Sequence, residues 1–534
     1  MDIRAVALVD GAFVVVPLWG LSASLAAGLC KSLSAGLCKS LQLLLQVFAW
    51  SSNYSAAESY NFGFGAMPIF PNFLLSLLLV FSVFADTEAA GANPDSTHVV
   101  SVQALQALHQ REEACSSKEY EGPGLKIIDR DGPCSPLAEP QASPFQILER
   151  DQSRVKWLQS QQLDKAPYQF DAQGVDLPSR LGTSLGTANY IVTVGFGTPK
   201  KDMTVSFDTG SSLTWIQCQP CGGGCYHQQD PIFNPAQSSS YLNISCNSAD
   251  CSQVGIRTGC PSFSSTCVYA VAYGDNSISR GFLAHDTLTL TASDVFPNFQ
   301  FGCGQLNRGL FGTTAGLLGL GRREISLVSQ TASKFGRVFS YCLPSTPSST
   351  GYLKFGAEAI PAGVRFTPLL TKQENPFFYF VSIARIIVGK QVLPIPASTF
   401  SSGPGTIIDS GTVITRLPPA AYAALRSAFR QAMSKYKMAA SPVSLFDTCY
   451  DLSGVETVTF PKIVLSFEGG VDVDVVPSGI LLVGVAGSQT VGCLAFAGNE
   501  DSSNVGIIGN RQQRAFDVVY DVAGGRLGFS PGSC

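Results

Sequence analysis

Phe207-Asp208-Thr209-Gly210-Ser211-Ser212 closes an apolar stretch, MTVSF, and Ile408-Asp409-Ser410-Gly411-Thr412 closes another, GTII. Each unit reads hydrophobic, Asp, hydroxyl, Gly, hydroxyl. Each is followed by a second matching element, Leu317-Leu318-Gly319 after the first and Ile507-Ile508-Gly509 after the second. Two similar halves, each setting one aspartate on a tight turn, predict a pseudo-two-fold arrangement within one chain. The other Asp-Ser/Thr pairs (86–87, 95–96, 286–287 and 447–448) lack the following Gly and hydroxyl and read as ordinary loops.

The pairing has a chemical reason. A lone carboxylate at its ordinary pKa is a poor base for water. Two carboxylates within hydrogen-bonding distance cannot both ionise easily, so they share a proton and their pKa values split. The ionised partner can then take a proton from water while the protonated one polarises a carbonyl. Gly210 and Gly411 permit close backbone approach, and Thr209, Ser211, Ser410 and Thr412 are expected to orient the carboxylates.

Around these motifs the texture is that of an all-β protein. After Thr187, short runs such as YIVTVGF and TLTLTA alternate with Gly, Ser, Asn and Pro clusters. Gly 52 and Pro 31 fit many turns. The clearest helical exception is Ala420 to Lys437, with apolar residues at helical spacing. Charged residues make up 14% and the net charge is −4, so there is no basic excess for nucleic acid. Only four histidines occur, at 98, 109, 227 and 285, which disfavours chemistry built on several of them; His227 and His285 read as isolated.

These residues resemble a pepsin-like aspartic protease, specifically the plant nepenthesin-like atypical subgroup, over about Tyr190 to Cys534. The resemblance implies a mostly β, bilobal fold with a substrate cleft between pseudo-two-fold lobes. It implies Asp208 and Asp409 as the catalytic pair, peptide or protein substrates, an acidic working pH, a removable inhibitory pro-segment and no metal or organic cofactor. Trp215 matches the tryptophan that supports a flap tyrosine. Tyr273, in AYGDNSISRG with Gly274 and Asp275, matches that tyrosine on a hairpin over bound peptide. Asn276 stands where such flaps often have Gly; Asn tolerates a left-handed turn, so the hairpin survives. The roughly 100-residue insertion of some vacuolar relatives has no room after Asp409. A rival expectation is a non-catalytic binder like the xylanase inhibitors of this fold, against which both motifs and Tyr273 stand intact.

Sixteen cysteines are awkward for a reduced cytosolic enzyme and natural for an exported one. Twelve follow residue 190: Cys218, Cys221, Cys225, Cys246, Cys251, Cys260, Cys267, Cys303, Cys342, Cys449, Cys493 and Cys534. The clustering near Cys218 could be read as a zinc site, but the even total predicts six disulfides of undetermined pairing. Asn243-Ile244-Ser245 is a glycosylation sequon, consistent with a surface loop. Gly182-Thr183-Ser184-Leu185-Gly186 matches a serine-hydrolase pattern without the flanking strand and helix, and reads as linker.

The expected organisation is a leader extension at 1–66, a signal peptide at 67–85, a pro-segment and linker at 86–185, and peptidase lobes at 186–375 and 376–534. Phe73 to Ala85 is too short to span a membrane and suits a signal-peptide core. Two readings of residues 1–66 stand: translation begins at Met67, or the long form carries an unusual leader. AGLCKSL occurs there twice, at 27–33 and 35–41, carrying Cys30 and Cys38 outside the expected disulfide set. Residues 86–176 are charge-dense, with helical character in QILERDQSRVKWLQSQQLDK. Delivery to the secretory pathway is expected, extracellular first, with vacuole and plastid as alternatives. A monomer is expected.

Overall fold

The computed structural model describes residues 4–9, 12–17, 96–107, 115, 122–137, 143–160 and 190–534, the last apart from 222–223, 253–255, 263, 274–276, 310 and 533. The signal-peptide core, the AGLCKSL repeat with Cys30 and Cys38, His109, Gly182–Gly186, and the flap residues Gly274 and Asp275 therefore lie outside the described residues. Arg4–Val9 and Ala12–Pro17 form an antiparallel hairpin in a unit spanning Met1–Asn93. Pro94–Cys534 forms a second unit, and all that follows concerns it.

The sequence repeat is a structural repeat. In the first half, Lys201–Asp208 runs parallel to Gly316–Gly319, which is antiparallel to Trp215–Gln217, which is parallel to Asp294–Arg308. In the second, Thr406–Ile408 runs parallel to Gly506–Ile508, which is antiparallel to Thr415–Leu417, which is parallel to Phe496–Gly498. Both aspartate-bearing strands are central and buried, as the unbroken apolar approaches MTVSF and GTII require. The later apolar-apolar-Gly elements are the neighbouring strands. Leu320 N–H donates to the Asp208 carbonyl at 2.9 Å, and Asp409 N–H donates to that of Ile508 at 3.1 Å.

The largest sheet crosses the expected boundary at 375/376. Phe516–Asp521 and Arg526–Pro531 continue it beside Val338–Cys342 and Thr350–Phe355. The segment before Tyr190 also takes part. Leu125–Asp129 lies between Thr350–Phe355 and Tyr190–Phe196, and Thr97–Ser101 pairs with Thr457–Pro461.

The long helix predicted over Ala420 to Lys437 runs Pro419–Ala432, burying Ala421, Tyr422, Leu425 and Phe429. It ends early because the next backbone pairs elsewhere: Ala439 N–H donates to Cys449 C=O, and Asp451 N–H to Lys437 C=O, both at 2.9 Å. A second helix, Pro144–Ser160, begins with a capping box. Gln146 N–H donates to Ser143 Oγ at 3.2 Å and Ser143 N–H to Gln146 Oε1 at 2.8 Å, with Pro144 at the first helical position. Among the described residues no helix is long and apolar enough to cross a membrane.

All twelve cysteines after residue 190 are paired: 218–303, 221–225, 246–260, 251–267, 342–534 and 449–493. Thiolate ligation of zinc is thereby closed to them. Cys342–Cys534 spans 192 residues; in the chain-entropy account a closure that long removes unfolded-chain entropy equivalent to about 5 kcal/mol. A seventh disulfide, Cys115–Cys134, lies in the segment before Tyr190. The sequon Asn243 is exposed, on the short strand Leu242–Asn243 rather than in a loop.

Candidate active site

Asp208 and Asp409 close equivalent buried strands, and both side chains are fully buried. Asp208 Oδ1 accepts from Gly210 N–H at 3.0 Å, and Oδ2 accepts from Ser211 Oγ. Asp409 Oδ2 accepts from Thr412 Oγ1 at 2.5 Å. Only two of the four hydroxyls expected to hold the carboxylates do so. Thr209 and Ser410 instead reach across to the opposite turn. Thr209 N–H donates to Ser410 Oγ at 3.1 Å, and Ser410 N–H donates to Thr209 Oγ1 at 2.9 Å. The third residue from the Asp is therefore the carboxylate's partner, while the first locks one half to the other.

The two glycines are required by crowding. A Cβ on Gly210 would lie 2.7 Å from Asp409 Oδ1, and one on Gly411 would lie 2.6 Å from Asp208 Oδ1. Side chains at either position would push the carboxylates apart.

Trp215 is buried in a cluster with Leu213, Tyr269 and Phe311, and its Nε1–H donates to Tyr273 Oη at 2.7 Å. Tyr273 sits where Val268–Ala272 turns into Ile278–Thr291, its N–H donating to Ser277 C=O at 2.8 Å. The two residues matched by resemblance are thus in contact, Tyr273 on a hairpin and Trp215 on the strand Trp215–Gln217.

Arg154 was not singled out by sequence. It lies on the Pro144–Ser160 helix, and its guanidinium sits on both aspartates. Nη2 donates to Asp208 Oδ1 at 2.6 Å and to Asp409 Oδ1 at 2.9 Å, while Nε donates to Asp409 Oδ2 at 3.0 Å. One nitrogen thus bridges two carboxylates, one from each half. The helix is held by Phe145 and Leu148 against Val413, Ile414 and Leu482, and by Val155 and Leu158 against Phe380, Ile407 and Ile507. That helical spacing of apolar residues was the available signal for a docked helix; nothing local distinguished Arg154 from Arg150.

Burial raises the Asp208 pKa above the ordinary aspartate range; the nearby Arg154 charge lowers it and the Asp409 charge raises it. Burial also works against the charge on Arg154, but Asp208 and Asp409 outweigh it and hold the guanidinium protonated. A second buried ion pair ties the segment to the body. Arg514 lies 3.6 Å from Asp129 and donates from Nε to Tyr190 Oη at 2.8 Å.

Comparison with known proteins agrees with this geometry. A family model described as the N-terminal part of xylanase inhibitors matches residues 190–357, and its C-terminal companion matches 378–531. An aspartyl protease family protein of Arabidopsis thaliana is 52% identical over 419 residues, covering 77% of this chain and 87% of the relative. The chain belongs to the plant pepsin-like aspartyl protease family. Within this family, the aspartic proteinase nepenthesin-2 of Nepenthes gracilis is 38% identical, covering 65% of this chain and 78% of its own. Soybean basic 7S globulin shares the fold, with a TM-score of 0.52 at 25% identity over 66% of this chain and 94% of that one.

Proposed function

We propose that this aspartic peptidase is made as a zymogen and hydrolyses internal peptide bonds at acidic pH with the Asp208–Asp409 pair. The observation that carries the reading is the convergence of two aspartates, one from each repeated half, on a single Arg154 nitrogen. The pair activates water for attack on a peptide carbonyl, giving a tetrahedral intermediate; the leaving amine is then protonated, with no acyl-enzyme. The pair shares one proton, and burial together with the Asp409 charge favours the protonated form of Asp208. Activity needs that proton, so it is present below the raised pKa and lost as pH rises through it.

Arg154 supports the zymogen reading. It occupies the space between the carboxylates that water and a substrate carbonyl would need. The pro-segment then comprises residues 86–185, followed by lobes at 186–375 and 376–534. Tyr273 covers bound peptide, held by Trp215. Replacing Trp215 by Phe removes the indole N–H donor to Tyr273, and kcat/KM for a peptide should fall about three- to tenfold. An unchanged value would remove the flap role from this contact.

The seven disulfides among the described residues support passage through an oxidising compartment, with secretion to the cell exterior as the destination. The test of the whole reading is digestion of casein or haemoglobin at acidic pH by the acid-treated protein. Pepstatin should stop the cleavage and a metal chelator should not. The reverse pattern would overturn the reading; no digestion combined with tight binding to a glycoside hydrolase would favour an inhibitor.

A further inference from the structure

The helix that brings Arg154 to the aspartates also carries an acid into the wall of the site. Asp151, three residues earlier, is completely buried. Its Oδ1 accepts from Val413 N–H at 2.7 Å, and its Oδ2 accepts from Arg416 Nη2 at 2.9 Å. Val413 directly follows Thr412, the residue that hydrogen-bonds Asp409, so this receptor for a carboxylate begins one residue from the dyad motif.

Arg416 itself is 1% exposed. Nη1 donates to Ile414 C=O at 2.9 Å, and Nη2 reaches Gln152 Oε1 at 3.3 Å as well as Asp151. Nε is buried without a hydrogen-bond partner. Among the described residues, the only carboxylate paired with this guanidinium belongs to the helix, and the body of the enzyme contributes one carbonyl. Val413 and Ile414, which precede it in the chain, belong to an apolar cluster with Leu482. Burial lowers the arginine's hold on its proton, and Asp151 opposes that effect.

An ion pair that served only to stabilise the mature body would have both partners in that body. Here the cation stays and the anion leaves with the helix, which turns the guanidinium toward the vacated site without its carboxylate partner unless another anion enters. A peptide lying across the dyad can supply one. We infer that Val413 N–H and Arg416 form a carboxylate-binding subsite that selects a glutamate or aspartate side chain of the substrate near the scissile bond. Asp151 is the intramolecular occupant of that subsite before activation. This rests on the reading of the chain as a peptidase with a removable helix.

The test uses the acid-treated full chain and pairs of peptides cleaved at one bond, with Glu or Gln placed in turn at each position flanking it. The assay is run near the upper end of the acidic range, about pH 5, where a glutamate side chain is largely ionised. At one position Glu should exceed Gln in kcat/KM by about ten- to a hundredfold, as a charge-assisted hydrogen bond gives. In Arg416→Gln that ratio should fall to about one, and Arg416→Lys, a point charge without the planar fork, should keep part of it. The ratio is read within each enzyme, so a general loss of activity does not imitate the effect. Should Arg416→Gln fail to fold, the unaltered enzyme and Arg416→Lys still decide. No acid preference at any position, or a preference undiminished in either variant, would overturn the subsite. Cleavage without acid preference overturns the subsite alone, whereas failure to cleave any peptide overturns the peptidase reading and the subsite with it.

Discussion

Full-length protein carrying Arg154→Gln is expected to cleave a peptide substrate at least about a hundredfold faster than the unaltered full chain, before any processing. Arg154 makes three charge-assisted hydrogen bonds to two fully buried carboxylates. Removing one partner of a buried ion pair costs about 3–5 kcal/mol, and about 1.4 kcal/mol is a factor of ten in an equilibrium. That cost falls on the docked state, because in the undocked state the aspartates and residue 154 are free to meet water. Phe145, Leu148, Val155 and Leu158 still pack on the second half, and Asp151 still meets Arg416. The helix should therefore still associate, but with a much larger open fraction. Arg154→Lys should fall between the two, since an ammonium cannot reproduce the bridging fork. The measurement is initial-rate hydrolysis of a short peptide, with gel electrophoresis confirming an uncut chain. Equal rates for Arg154→Gln and the unaltered chain would show that the helix does not inhibit through this contact.

Asp208→Asn and Asp409→Asn should each lower kcat of the activated enzyme by at least about 10³-fold, within the range that positioned acid–base groups contribute. The two losses should be similar and, when combined, far from multiplicative, because the carboxylates act as one unit sharing one proton. Asn keeps the shape of Asp and can still accept from Ser211 or Thr412, so circular dichroism should be unchanged. The parent enzyme should lose activity as pH rises through the elevated pKa of Asp208, since burial and the Asp409 charge favour its protonated form. A variant that retained more than a tenth of parental kcat would exclude its aspartate from the chemistry.

Much of this site was legible in the sequence because its most informative features are local. Asp-Ser/Thr-Gly-Ser/Thr after an apolar run describes a strand entering a tight turn, and the run must be apolar because the strand is central. The glycines are legible for the same reason, as points of a tight turn where neighbouring side chains come too close for a Cβ. The division of labour among the four hydroxyls was not legible. Thr209 and Ser410 are separated by 201 residues, and only the closed structure makes each the partner of the other's backbone. The cysteines follow the same rule. Their even number predicted six bridges, yet Cys218 passes over Cys221 and Cys225 to pair with Cys303, across the parallel strands Trp215–Gln217 and Asp294–Arg308.

By itself, then, the sequence determined a twofold-repeated β protein with one aspartate at each equivalent turn, rich in disulfides, preceded by a charged segment with helical character. Tertiary structure decided what that segment does. It set a strand, Leu125–Asp129, inside the main sheet and a helix against the second half. It placed Arg154 on both aspartates, across 54 and 255 residues of chain, and Asp151 on Arg416, across 265. The physical reason is the range of the forces that leave a mark on a pattern. Backbone sterics, turn geometry and strand burial act over a few residues and can be read in order. The partner of a buried charge is chosen by whichever oppositely charged group packing brings within reach, and that is a property of the folded chain alone.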